Sequence, residues 1–181
     1  TTLYRPGPLH SGETADYIQR RNGAKEWKHD HKLLEPITEK TLGLVLYQEQ
    51  VMRVMHDIGG FTWATSESTR KVITKSQGKK VFEKLRKEFV HNAQDKGLGE
   101  KEAEHVFNVV SMFGSYGFNL SHAVEYTIIS YWCAWLKTYY PKEFFAELMT
   151  RENESYQLSN YIKEAMKTGI EIMLPDINES R

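Results

Sequence analysis

From Ser121 to Tyr139 the sequence is apolar on almost every side of a helical wheel, with Val124, Ile128, Ile129, Trp132, Trp135 and Leu136 leaving no wide polar face. A helix of that kind has to be buried, so the pattern predicts a central helix wrapped by its neighbours and a fold made by packing helices. The densest part, Tyr126 to Leu136, is too short to cross a bilayer, which predicts a soluble, cytoplasmic protein. With 181 residues, 40% of them hydrophobic and 27% charged, the chain is long enough for a globular domain with a real core, and this composition excludes disorder.

Glycine and proline punctuate the rest. Leu3 to Gly12 reads as a turn, because Pro6 and Pro8 fix their own backbones and Gly7 supplies freedom between them. An amphipathic piece covers Thr14 to Arg21. Residues Gly23 to Glu39 read as irregular, broken by Gly23 and Pro36, and Leu42 to Leu46 reads as a short extended run. Helices are then expected at Gln48 to Ile58, ended by Gly59 and Gly60; from Ser66 through Lys71; at Lys79 to Asp95; and at Glu100 to Phe113. Pro141 opens another toward Met149, and Ser155 to Thr168 makes one more, capped by Gly169. The expected class is therefore mainly α, with a short irregular or extended N-terminal part. A helical region spans 1–168 and an extended tail spans 169–181. The opening Thr1-Thr2-Leu3 reads like the interior of a longer polypeptide, so a fragment is expected.

Charge is uneven in a chain whose 24 basic and 24 acidic residues cancel. Arg70, Lys71, Lys75, Lys79, Lys80, Lys84, Arg86 and Lys87 crowd into one block that only Glu83 opposes from within. On a helix, Lys71 and Lys75 are one turn apart with Arg70 beside them, so their heads can converge on a triphosphate or a DNA backbone. The same spacing also describes a plain solvated helix face.

Gly114 to His122 (GSYGFNLSH) leads into the apolar helix. Asn119 or Ser121 can cap that helix, and His122 then lies in its first turn. Donors beside helix-start amides suit an anion or a base edge, but from the residues alone simple capping with His122 packed in the core is the favoured reading. His29 and His31, alternating around Asp30, read as surface histidines and not as a metal site, since no further ligand pattern joins them. Cys133, the single cysteine, reads as a core thiol in a reducing cytosol.

Taken in order, LYRPGPLHSG, LVLYQEQVM, IGGFTWATSESTRK, FGSYGFNLSHAVEY, YWCAWLKTYYPKEFFAELM and GIEIMLPDIN resemble the fingers of the C-family DNA polymerases, the bacterial polymerase III alpha subunits. The resemblance runs over essentially the whole chain in the family's order. It implies a multi-helix fingers domain in which Arg70 and Lys71 hold the triphosphate of an incoming deoxynucleoside triphosphate, with Lys75 close by. Asn119, Ser121 and His122 would line the nucleotide side of the cleft. Lys79, Lys80, Lys84 and Lys87 would face the backbone of primer-template DNA or solvent. Tyr47 to Gln50 match a family signature whose physical task does not follow from the sequence.

Nucleotidyl transfer needs divalent metal ions held by carboxylates, and the resemblance puts those acids, with their Mg2+, in a palm domain outside this segment. No catalytic or metal-binding residue is therefore expected here, and the segment alone should not polymerise. Its partners would be primer-template DNA, deoxynucleoside triphosphates, other domains of the polymerase chain and replisome subunits. Three departures from the family pattern stand out: Lys71 where a second arginine is usual, Leu120 where lysine is common, and Glu125 where a small apolar residue is usual. A stand-alone helical nucleic-acid-binding domain would also account for the cation block, and a helical interaction scaffold for the packing.

Overall fold

The computed structural model describes residues 2–75, 79–114, 117–174 and 176–178, without the side chains of 74, 75, 79, 113 and 114. The expected mainly helical class is what the chain adopts: there are ten α-helical segments and no strand among the described residues.

Arg5 keeps an extended backbone, and Pro6, its φ already in the helical range, opens α1 (Pro6–Ser11). The proline-rich stretch expected to be a turn is thus a short helix, held by Ser11 Oγ donating to the Gly7 carbonyl at 2.9 Å and ended by Gly12 at φ 86°. After α2 (Glu13–Arg21) the chain is irregular, as expected, until 3-10 turns at Lys32–Leu34 and Glu39–Thr41 flank the single turn α3 (Glu35–Thr38). Pro36 starts that turn where a break was expected. Residues Leu42 to Leu46 form no strand; Leu42 and Gly43 turn with positive φ, and Leu44, Val45 and Leu46 are then buried.

α4 (Gln48–Arg53) runs into a π-helical turn, Val54–Ile58, where the Gly59 amide reaches back to the Val54 carbonyl at 3.1 Å. Gly59 then lets the chain pass against Phe89, and Asn92 Nδ2 donates to the Gly59 carbonyl at 2.7 Å. Next comes α5 (Trp63–Lys75), which starts three residues before the expected Ser66. The cause is Thr62, whose Oγ1 accepts from the Thr65 amide at 3.1 Å and whose carbonyl accepts from the Ser66 amide at 2.8 Å. α6 (Lys79–Asp95) and α7 (Glu100–Gly114) pair across Phe82, Phe89 and Phe107, with ring centroids 5.4 and 5.3 Å apart. Val51, Val54, Met55, Phe89, Phe107 and Val110 are fully buried and form the centre of this core.

The chain divides into two compact units, Thr1–Ala123 and Val124–Arg181. The first holds the core just described. The second comprises most of α8 (Leu120–Tyr139) with α9 (Pro141–Arg151) and α10 (Ser155–Lys167). In it α9 packs on α10, Phe145 and Ala165 are buried, and Lys137 bridges to Glu164 at 3.2 Å. Gly169, at φ 83°, ends α10 as expected.

The expectation of a wrapped central helix does not hold. No residue of α8 is buried, Trp132 and Trp135 are 60% and 43% exposed, and Cys133 is exposed as well, against the core thiol expected. Only α9 and α10 are available in the second unit to cover a helix with apolar residues on every side, so most of that surface stays open. No helix among the described residues is long and apolar enough to cross a membrane.

Candidate nucleotide-binding site

Three sequence blocks far apart in the chain meet in the first unit. Their junction is Phe118, which is buried and bridged in parallel to Tyr47: the Phe118 amide donates to the Leu46 carbonyl at 3.1 Å and the Gln48 amide to the Phe118 carbonyl at 3.0 Å. The Arg5 guanidinium lies 4.4 Å above the Phe118 ring, and the His122 ring tilts against it with centroids 5.4 Å apart.

The start of α8 is capped from within. Asn119 Oδ1 accepts from the His122 amide at 2.9 Å and from Ser121 Oγ at 2.6 Å. Glu49 Oε2 accepts from the Leu120 amide at 3.0 Å, so a carboxylate already sits at the positive end of the helix. His122 is exposed, not packed in a core. Capping and exposure therefore both occur here, and Asn119 is committed to the first of them.

Gln50, the last residue of the YQEQ segment, is buried and uses both ends of its amide. Its Oε1 accepts from the Leu46 and Tyr47 amides at 2.8 and 2.9 Å, and its Nε2 donates to the Ile37 carbonyl at 2.9 Å and Thr41 Oγ1 at 2.8 Å. The physical task of the signature is then visible: Gln50 fixes the loop before α4, Tyr47 carries Phe118, and Glu49 holds the start of α8.

Arg70 and Lys71 project from α5 toward one acid. Glu67 Oε2 accepts from Arg70 Nε and Oε1 from Arg70 Nη2, both at 2.8 Å, and Lys71 Nζ lies 3.2 Å from Oε1. The Arg70 side chain is only 17% exposed, whereas that of Lys71 is 59% exposed. The hydrogen bonds from Arg70 hold the Glu67 carboxyl down to about 2, with partial burial opposing and Lys71 adding to the effect. Arg70 is pushed up in turn, first by its hydrogen bond to Glu67, against burial, then by the charges of Glu67 and Glu49. Glu49 thus touches the α8 start and acts electrostatically on Arg70.

Lys80, Lys84 and Lys87 share one face of α6 with Glu83 and line a shallow hollow there. Arg86 is engaged by two acids, pairing with Glu83 at 3.1 Å and Glu104 at 2.7 Å. Lys75 and Lys79 lie in α5 and α6, but their side chains are outside the described residues. Sequence reasoning missed Glu67 and Glu49. Glu67 was readable, since it stands three and four residues before the basic pair; nothing local in the sequence points to Glu49.

Among the described residues no group of three or more His, Cys, Asp or Glu side chains comes together that could hold a metal ion. Of the acids at the site, Glu67 engages Arg70 and Lys71 with its two oxygens, and Glu49 Oε2 accepts from the Leu120 amide.

The model of the bacterial DNA polymerase III alpha subunit finger domain matches residues 1–97. Similar curated proteins are DNA polymerase III subunit alpha of Aquifex aeolicus, 39% identical over 178 residues, and of Campylobacter jejuni, 38% identical over 179 residues. That of Escherichia coli is 35% identical over 184 residues. The matches take in 97–98% of this chain but only 15–16% of those proteins.

Proposed function

Because the chain belongs to the family of bacterial DNA polymerase III alpha subunit finger domains, we propose that it works as the nucleotide-binding fingers of a DNA-directed DNA polymerase. Arg70 and Lys71 grip the triphosphate of the incoming deoxynucleoside triphosphate, with Lys75 as a further cation, and Asn119, Ser121 and His122 form the adjoining wall. The observation that carries this reading is Glu49. It joins the start of α8 by a 3.0 Å hydrogen bond while its charge is among those that raise Arg70, which supports reading the cationic helix and the GFNLSH turn as parts of one site.

In this reading the segment positions the nucleotide and offsets its negative charge. Metal-assisted transfer belongs to Mg2+ held by palm carboxylates elsewhere in a longer chain. A two-point grip suits the chemistry: the planar fork of Arg70 can take two phosphate oxygens, while Lys71 adds a compact charge with less directional preference. On α6, Lys79, Lys80, Lys84 and Lys87 face the phosphates of primer-template DNA, in the cytoplasm and among the other replisome subunits.

The test is single-nucleotide incorporation by the full-length polymerase. Arg70→Ala should cost about 1.5–3 kcal/mol in kcat/KM for the nucleotide, the range for a hydrogen bond to a charged group, and barely change primer-template affinity. Unchanged nucleotide kinetics would refute the reading.

A further inference from the structure

We propose that Glu67 is a positioning residue for nucleotide binding, setting the plane of the Arg70 guanidinium and the reach of Lys71 so that both meet the triphosphate in a fixed orientation. The inference rests on the reading that Arg70 and Lys71 grip that triphosphate.

Geometry carries it. A guanidinium offers five N–H donors in a rigid plane, and Glu67 takes one from Nε and one from Nη2 along a single edge, both at 2.8 Å. A carboxylate engaged that way fixes the plane as well as the position. A planar fork held in one orientation suits the directional contacts that phosphate oxygens offer. The same Oε1 lies 3.2 Å from Lys71 Nζ, so one acid organises the basic pair from one turn below it on α5. The Arg70 side chain is mostly buried, which limits the positions open to its guanidinium.

Two effects of removing Glu67 oppose each other. The local charge of Arg70, Lys71 and Glu67 rises from +1 to +2 without the acid, which strengthens attraction for a polyanion. At physiological salt that gain fades beyond about 8 Å, whereas an unoriented fork loses its paired contact at close range. Orientation should win, and the sign of the change in nucleotide KM decides between the two.

Full-length polymerase carrying Glu67→Gln, Arg70→Ala or both is titrated with nucleotide in single-turnover incorporation, with primer-template affinity and thermal melting measured alongside. Glu67→Gln should raise the nucleotide KM about tenfold while kcat and DNA affinity stay within about threefold. In the Arg70→Ala background the same change should add less than about threefold, the part that acts through Lys71. An unchanged or lower KM in Glu67→Gln, with Arg70→Ala still impaired, overturns the inference and leaves the grip of Arg70 standing. So does a full tenfold effect in the Arg70→Ala background. If Arg70→Ala itself has no effect, the underlying reading fails and this inference with it. Should Glu67→Gln not fold, Glu67→Asp, which keeps the charge and withdraws it by one methylene, reads out the same KM.

Discussion

Glu49 and Leu120, 71 residues apart, are joined by one hydrogen bond, the Leu120 amide donating to Glu49 Oε2 at 3.0 Å. The bond ties α4 to the first turn of α8 and sets a carboxylate where the helix is most positive. Glu49→Gln keeps an acceptor oxygen but loses the charge, and Glu49→Ala loses both. Hydrogen exchange at the Leu120 amide should therefore quicken in Glu49→Ala and stay protected in Glu49→Gln, with a stability cost of about 1 kcal/mol for the alanine change. Equal exchange in the two variants would mean that the contact does not form in solution.

The helices were largely legible because their ends are written in local chemistry. Lys79 and Gly97 bracket α6, and Pro141 and Gly169 mark α9 and α10. The start of α5 was not, because threonine at 62 caps as readily as it extends and only the structure shows which it does. For α8 the pattern stated a need for cover but not whether this segment supplies it, and its tryptophans are exposed.

The candidate site divides the same way. Arg70, Lys71 and the GFNLSH turn stood out as blocks, and the i to i+3 and i+4 spacing of Glu67 held its role in plain view. The pairing of Glu49 with Leu120 depends on the Tyr47 to Phe118 bridge, a long-range contact between two single residues that no periodicity encodes.

Thr69 is 1% exposed on the core side of α5, and its hydroxyl has no hydrogen-bond partner among the described residues. Burying a hydroxyl without a partner costs about 1–3 kcal/mol. Thr69→Val keeps the branched shape and removes the polar atom, so urea unfolding should show stabilisation by about 1 kcal/mol. Destabilisation by the same amount would show that the hydroxyl is satisfied by water.

Gly59 is needed for space. A Cβ there would stand 2.4 Å from Phe89 Cδ2 and 2.8 Å from the Met55 carbonyl oxygen. Phe89 is fully buried and the carbonyl belongs to the π-helical turn, so neither can move aside cheaply. Gly59→Ala should cost about 2–3 kcal/mol in urea unfolding, the upper part of the range for overpacked cores. A change below about 0.5 kcal/mol would mean that the turn opens more easily than its packing implies.

Glu67 also gives the fold a pH signature. Arg70 first, then Lys71, holds its carboxyl down to about 2 from an ordinary 4.5, and a group whose pKa is lower in the folded chain stabilises that chain in its charged form. The contribution is complete above 4.5 and drains away as pH falls toward about 2. Arg70, itself pushed up, stays charged throughout this window. Unfolding of the parent chain and of Glu67→Gln, measured in urea across pH, should therefore differ by a constant amount from about pH 9 to about pH 5 and converge below that. With a third of its side chain exposed, Glu67 is screened by solvent, so the plateau should be modest and shrink in high salt. A difference that widened on acidification, or that changed between about pH 6 and 8, would mean that a group other than the Glu67 carboxylate holds the basic pair in place.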